Sequence, residues 1–187
     1  MQNNNRRRFA IALCATVMSA TGCASPDKLD RTPFVVEYSL GPGAAKKTGL
    51  QALTNTGAQI FASATLSERN SGWSGFGGTV SFPRWVRVTW REGVTPGEYW
   101  TTGTVVADHT IDVRSRIPPA FYETAKNRPG RVIKLQFRIK DDAVLFAWCV
   151  QEDSGGGHVD ILNDGDFKKP TIFNGVVTDP GWERPAR

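Results

Sequence analysis

The sequence predicts a mostly β protein, an antiparallel β sandwich or curled sheet with one short α-helix. Three observations predict it. About six or seven short segments alternate apolar and polar residues. Glycine and proline, the usual turn residues, occur 19 and 11 times in 187 residues. Only one segment carries helix signals. With 40% hydrophobic and 22% charged residues, the chain fits one globular domain and is too apolar to be disordered.

The first 22 residues have the order of a secretory signal peptide: a basic region, a short apolar run and a region of small residues. The apolar run is too short for a permanent membrane span. Residues 20–23 (Ala-Thr-Gly-Cys) resemble a bacterial lipobox, but the usual Leu is replaced by Ala20, so ordinary cleavage near Ala24 stays open. The resemblance implies a lipid on Cys23 and, because no Asp follows it, anchoring at the outer membrane facing the periplasm. Residues 23–33 then form a tether, and residues 34–187 form a single β-rich domain.

Loss of this signal peptide changes both the charge and the cysteine count. Three arginines and no acids leave with it, so the formal net charge falls from +5 to +2. Most support for nucleic-acid binding disappears with that charge. Cys14 leaves as well and Cys23 carries the lipid, so Cys149 remains as a single thiol without a disulfide partner. We expect Cys149 to be a small buried apolar residue.

The first half of the domain contains four segments predicted as strands and one glycine-rich segment between them. Residues 34–40 alternate strictly and stop at a Gly-Pro-Gly turn, and residues 58–66 carry a second apolar face. Residues 72–78 are rich in glycine and are predicted to form a loop. Residues 80–90 form a strand with a break at Pro83, and residues 101–115 form another strand or hairpin.

The second half contains the one predicted helix and the clearest hairpin. Residues 118–130 begin with two prolines, carry Lys and Arg late and end at Pro-Gly, as a short helix does. Residues 133–139 alternate and are joined by an Asp-Asp turn to the apolar residues 144–150, which pairs Phe137 with Phe146. Lys134 takes a polar position of the first strand, so its loss should cost far less stability than that of Phe146. The second strand is apolar on both faces, and Lys and Arg stems or the helix are expected to cover its outer face. A weaker strand is predicted over residues 158–162.

Two polar strings have the residue types of a chemical site. Residues 153–156 (Asp-Ser-Gly-Gly) resemble the nucleophile loop of chymotrypsin-like proteases, but Glu152 stands where that family has Gly, and His109 lies in a plain alternating strand. The acidic string from Asp160 to Asp166 fails the calcium-loop spacing and is interpreted as a solvated turn. Neither histidine has a metal partner at ligand spacing. The sequence therefore predicts a protein that is not an enzyme, with no metal and no cofactor.

Aromatic and guanidinium side chains on predicted surfaces favour protein binding instead. Trp73 and Phe76 lie in the glycine-rich segment, where they could form a contact loop. Trp85, Arg87 and Arg91 share the face opposite the apolar residues of their strand. These five residues are the predicted partner-binding set.

Four segments carry a resemblance to a protein family: residues 82–93, Tyr99, residues 117–119 and residues 137–142. They resemble uncharacterised small lipoproteins of Gram-negative bacteria, some of which are immunity proteins against type VI secretion lipase effectors. The resemblance implies a membrane-tethered protein that binds and neutralises a toxic effector in the periplasm. The alternative is an envelope lipoprotein that binds a small molecule or glycan, because six tryptophans suit sugar stacking equally well.

Overall fold

The computed structural model describes residues 28–153, 157–168, 172–173 and 176–177, and it confirms the mostly β fold with one short α-helix. A 3-10 helix, Lys28–Arg31, precedes the first strand. In chain order the other elements are β1 (Phe34–Leu40), β2 (Lys47–Thr54), β3 (Gln59–Leu66), β4 (Gly72–Phe76), β5 (Trp85–Glu92), β6 (Thr104–Asp112), α1 (Pro119–Lys126), β7 (Arg131–Lys140), β8 (Ala143–Asp153), β9 (His158–Gly165), β10 (Ile172–Phe173) and β11 (Val176–Val177).

The strands form two sheets that enclose a common core, as in a β sandwich. The five-stranded sheet has the order β4-β1-β7-β8-β9, and the four-stranded sheet has the order β3-β2-β5-β6. The short strands β10 and β11 pair only with each other. Neighbouring strands are antiparallel except β1 and β7, which run parallel. Parallel neighbours need a long connection, and here the connection contains the whole four-stranded sheet and α1.

The core is built from the alternating apolar residues of both sheets. The β7–β8 hairpin has the predicted register, with Phe137 opposite Phe146 and their rings stacked at 5.2 Å between centroids. Asp141 supplies the positive φ of 54° in the tight turn between the two strands. The fully buried members of the core that fill most volume are Phe34, Phe82, Phe137, Phe146, Leu50, Ile60, Leu66, Ile133, Leu135 and Ile139.

The helix confirms its predicted start, but it ends at Lys126, before the predicted stop at Pro129-Gly130. Prolines 118 and 119 stand at its beginning, where a missing N–H costs nothing, and Lys126 lies in its last turn. Phe121 is buried against Trp148, with the two rings edge to face at 6.3 Å. Trp148 belongs to the core face of β8, so the helix closes the core and does not cover the outer face of that strand.

Two predicted features of the first half are wrong. The segment Lys47–Thr54, for which no strand was predicted, is β2, an interior strand of the four-stranded sheet. The glycine-rich segment is a strand, β4, which pairs with β1. Glycine is needed there for space, because a Cβ on Gly72 would lie about 2 Å from the ring of Tyr38.

The first described residues lie against the domain, although they were expected in the tether. Thr32 is buried, and Asp30 accepts a hydrogen bond at 2.6 Å from the guanidinium of Arg114. The predicted signal peptide, Cys23 and the rest of the tether lie outside the described residues. Within the described part of the chain, no helix has the length and apolar character needed to cross a membrane.

Candidate protein-binding site

The outer face of the four-stranded sheet presents tryptophan and arginine on a regular strand. Along β5, Val86 and Val88 are fully buried, whereas Trp85 is 39% exposed and the Arg87 side chain is 53% exposed. Arg87 lies opposite Leu53 of β2 in the strand register, so the two residues share a face. We call this surface the Trp85 face and define it by Gln51, Leu53, Trp85, Arg87 and Thr89.

An ion pair holds the arginine of this face in one orientation. The guanidinium of Arg87 donates from Nε to one carboxylate oxygen of Asp108 at 2.7 Å and from Nη2 to the other at 2.5 Å. The hydrogen bond from Arg87 lowers the pKa of Asp108, so its carboxylate stays ionised. Because both side chains are close to half exposed, the pair contributes little to stability. Its consequence is a pre-ordered, open guanidinium plane beside Trp85.

A loop borders one end of the Trp85 face and carries a tryptophan that was not predicted. Trp100 is 40% exposed and donates its indole N–H to the carbonyl of Leu50 at 3.1 Å. Arg91 donates to the carbonyls of Thr102 and Gly103, at 3.4 and 3.1 Å. Arg91 was predicted to contact a partner. In the structure its guanidinium holds this loop in place.

Trp73 and Phe76 lie on the other sheet, so the structure does not bring the five predicted residues into one surface. Trp73 is 57% exposed, and its ring lies 6.5 Å from that of His158. Phe76 turns inward and stacks on Phe34 with 5.0 Å between ring centroids. Only Trp85, Arg87 and Arg91 are neighbours along one strand face.

The outer face of the five-stranded sheet contains a buried network of charges. The ammonium of Lys134 lies 2.6 Å from a carboxylate oxygen of Asp160 and 3.6 Å from one of Glu37. These side chains are 7%, 16% and 19% exposed, respectively. Gln136 donates to the same carboxylate of Glu37 at 3.3 Å. Lys134 is thus buried by long side chains from β1, β7 and β9, so its loss should cost more stability than its polar position in the strand predicted.

Cys149 is buried beside this network, as predicted for a small apolar residue. Burial raises the pKa of its thiol well above the ordinary value, and a hydrogen bond with Asp160 raises it further. The thiol is consequently protonated near neutral pH and is a poor nucleophile. Arg138 supplies part of the cover that was predicted for the outer face of β8. Its guanidinium lies 4.0 Å from the centre of the Phe167 ring.

The acidic string from Asp160 to Asp166 is neither a calcium loop nor a solvated turn, because most of it belongs to strand β9. Asp166 accepts a hydrogen bond from Arg116 at 2.7 Å and another from the backbone N–H of Phe146 at 3.0 Å. Among the described residues, no group of three or more His, Cys, Asp or Glu side chains could hold a metal ion. Of the Asp-Ser-Gly-Gly string, residues 154–156 lie outside the described part.

Comparison with known proteins adds no relative to this account. No protein-family model, curated protein or solved structure matches the chain.

Proposed function

We propose that this protein is a lipid-anchored protein of the cell envelope that binds a partner protein through the Trp85 face. We further propose that the partner is a toxic effector delivered into the periplasm, so that binding confers immunity. The placement rests on the signal-like first 22 residues and the lipobox-like residues before Cys23. The immunity role rests on the resemblance to small Gram-negative lipoproteins.

The adjacent exposure of Trp85 and Arg87 is the observation that carries the binding proposal. Tryptophan and arginine are the residue types most enriched where interfaces gain most of their free energy. Here both are displayed by a strand whose alternate residues, Val86 and Val88, are fixed in the core. Little conformational entropy of Arg87 is lost on binding, because the ion pair with Asp108 already holds its side chain and the sheet holds the backbone of both residues.

The size of the face indicates how much more surface a partner must cover. From Trp85 to Arg91 the strand spans about 20 Å, and four strands span about 14 Å across. That flat area of roughly 300 Å² is less than half of the about 800 Å² that each partner contributes to a standard interface. Trp100 at one end, and Val105 and Val106 on β6, extend the exposed apolar surface. We therefore expect a partner to contact the loop and the β6 edge as well.

A protection assay tests the immunity proposal. Cells that lack the gene are complemented with the native protein, Trp85→Ala, Arg87→Glu or Trp73→Ala, and are then grown in contact with sibling cells that deliver the product of the adjacent gene. Trp73 is the matched control, because it is a more exposed tryptophan on the other sheet. We expect Trp73→Ala to protect like the native protein, and the other two variants to lose protection at equal abundance on an immunoblot.

The outcome also separates the two candidate roles. Survival of unprotected cells, together with no binding between the native protein and neighbouring gene products, would contradict immunity. The alternative, binding of a small molecule or glycan by an envelope lipoprotein, would then be tested on the same tryptophan variants.

A further inference from the structure

A basic groove lies at the end of the sandwich opposite to the β1–β2 turn. It has a volume of about 430 Å³ and is bounded by the residues that precede β1, the end of α1 and the turn into β7. Four cationic side chains line it: Arg31, Lys126, Arg128 and Arg131. Pro33, Ala125 and Pro129 supply apolar wall between them.

The cations of this groove exceed their counter-charges. Glu152 accepts hydrogen bonds or ion pairs from both Arg128 and Arg131, the latter at 2.9 and 3.0 Å. One carboxylate therefore fixes two guanidinium groups. Lys126 is exposed and lies 4.0 Å from Glu123.

The remaining cation, Arg31, is exposed and forms no ion pair with the described residues. A third carboxylate, that of Asp153, lies beside Gly130 and already interacts with another residue of the protein. Four cations thus stand near three carboxylates, and the Arg31 guanidinium that lines the groove is paired with none of the described residues.

We propose that this groove binds a phosphate group, presented either by a phospholipid headgroup or by a soluble phosphate. A guanidinium offers a planar fork of donors that matches two phosphate oxygens, and several cations around one volume suit an anion with three or four oxygens. The end of α1 contributes a partial negative charge, which Lys126 offsets. Apolar wall between the cations suits a phosphate that carries an organic group.

The position of the groove makes the lipid headgroup a natural source. Arg31 is eight residues after Cys23, a separation that an extended chain spans in about 28 Å. A lipid on Cys23 would hold the groove within that distance of the membrane surface. A tether of this length lets the groove reach the membrane surface, where anionic lipids attract exposed Lys and Arg side chains within about 10 Å.

The test compares two pairs of charge reversals in the full chain, each in a Cys23→Ser background. Arg31→Glu with Lys126→Glu changes the groove. The control, Lys46→Glu with Arg69→Glu, makes the same change of charge at the opposite end of β1. A hydrogen bond between Gly43 and Glu68 joins the two turns that carry these residues. Two readouts are used: co-sedimentation with vesicles of phosphatidylglycerol and phosphatidylcholine, and calorimetric titration with inorganic phosphate.

We expect the groove variant to lose roughly thirtyfold in vesicle affinity and the control to lose at most about threefold. Loss in the vesicle arm assigns the phosphate to a lipid, and loss in the inorganic phosphate arm alone assigns it to a soluble ligand. Equal losses in the two pairs would show general attraction to charge and overturn the proposal, as would unchanged binding of both pairs in both arms.

Discussion

Replacing Lys134 with alanine should destabilise the fold strongly, although the residue is a lysine on the outer face of a sheet. Its ammonium lies between the carboxylates of Glu37 and Asp160, and all three side chains are at least four-fifths buried. Lys134→Ala leaves two like charges without their counter-charge in a poorly hydrated site. Breaking a buried ion pair in this way costs about 3–5 kcal/mol, a large part of the 5–15 kcal/mol that stabilises a typical domain.

Urea unfolding followed by tryptophan fluorescence measures this loss. With a slope of about 2 kcal/mol per molar urea, the unfolding midpoint should fall by about 1.5–2.5 M. Lys46→Ala, at an exposed position in the β1–β2 turn, should change the free energy of unfolding by less than about 0.5 kcal/mol.

A neutral replacement of the whole network separates charge from packing. Lys134→Met combined with Glu37→Gln and Asp160→Asn removes every charge, and it should recover most of the stability that Lys134→Ala loses. If Lys134→Ala costs no more than Lys46→Ala, the lysine is solvated and the reasoning from its burial is refuted.

Two further predictions concern Gly72 and Cys149. Gly72→Ala should destabilise by about 1–3 kcal/mol in the same urea assay, because the new methyl group displaces the ring of Tyr38. Gly77→Ala, where a Cβ meets nothing within 4 Å, should have almost no effect, and equal effects would refute the close approach. Because burial raises the pKa of the Cys149 thiol, the unfolded thiol loses its proton first, from about pH 8.5. The free energy of unfolding should therefore fall above that pH, by up to about 1.4 kcal/mol per pH unit, and less steeply in Cys149→Ala; parallel curves would contradict this.

The sequence predicted those parts of the fold in which apolar and polar residues alternate along one strand. Strands β5 and β7 follow this rule, so the outward direction of Trp85 and Arg87 and, with the Asp-Asp turn, the pairing of Phe137 with Phe146 were accessible from the pattern alone. The candidate site was predicted to that extent, since Trp85 and Arg87 are its centre.

The missed features depend on contacts between distant residues. Glycines at positions 72 and 75 suggested a loop, but Gly72 serves the close approach of Tyr38, which no local pattern reveals. Lys134 occupies a polar position in an alternating strand, and its burial depends on Glu37 and Asp160, which come from β1 and β9. Trp100 joins the Trp85 face through its hydrogen bond to Leu50, fifty residues away in the sequence.

The affinity of the native protein and two tryptophan variants for the product of the adjacent gene tests the central claim most directly. Isothermal titration of the purified proteins should give a complex whose Kd rises at least about thirtyfold in Trp85→Ala, corresponding to roughly 2 kcal/mol at an interface centre. Trp73→Ala, on the opposite sheet, should change the Kd less than about threefold. The reverse order, with Trp73→Ala weakening the complex and Trp85→Ala leaving it intact, would contradict a binding site on the four-stranded sheet.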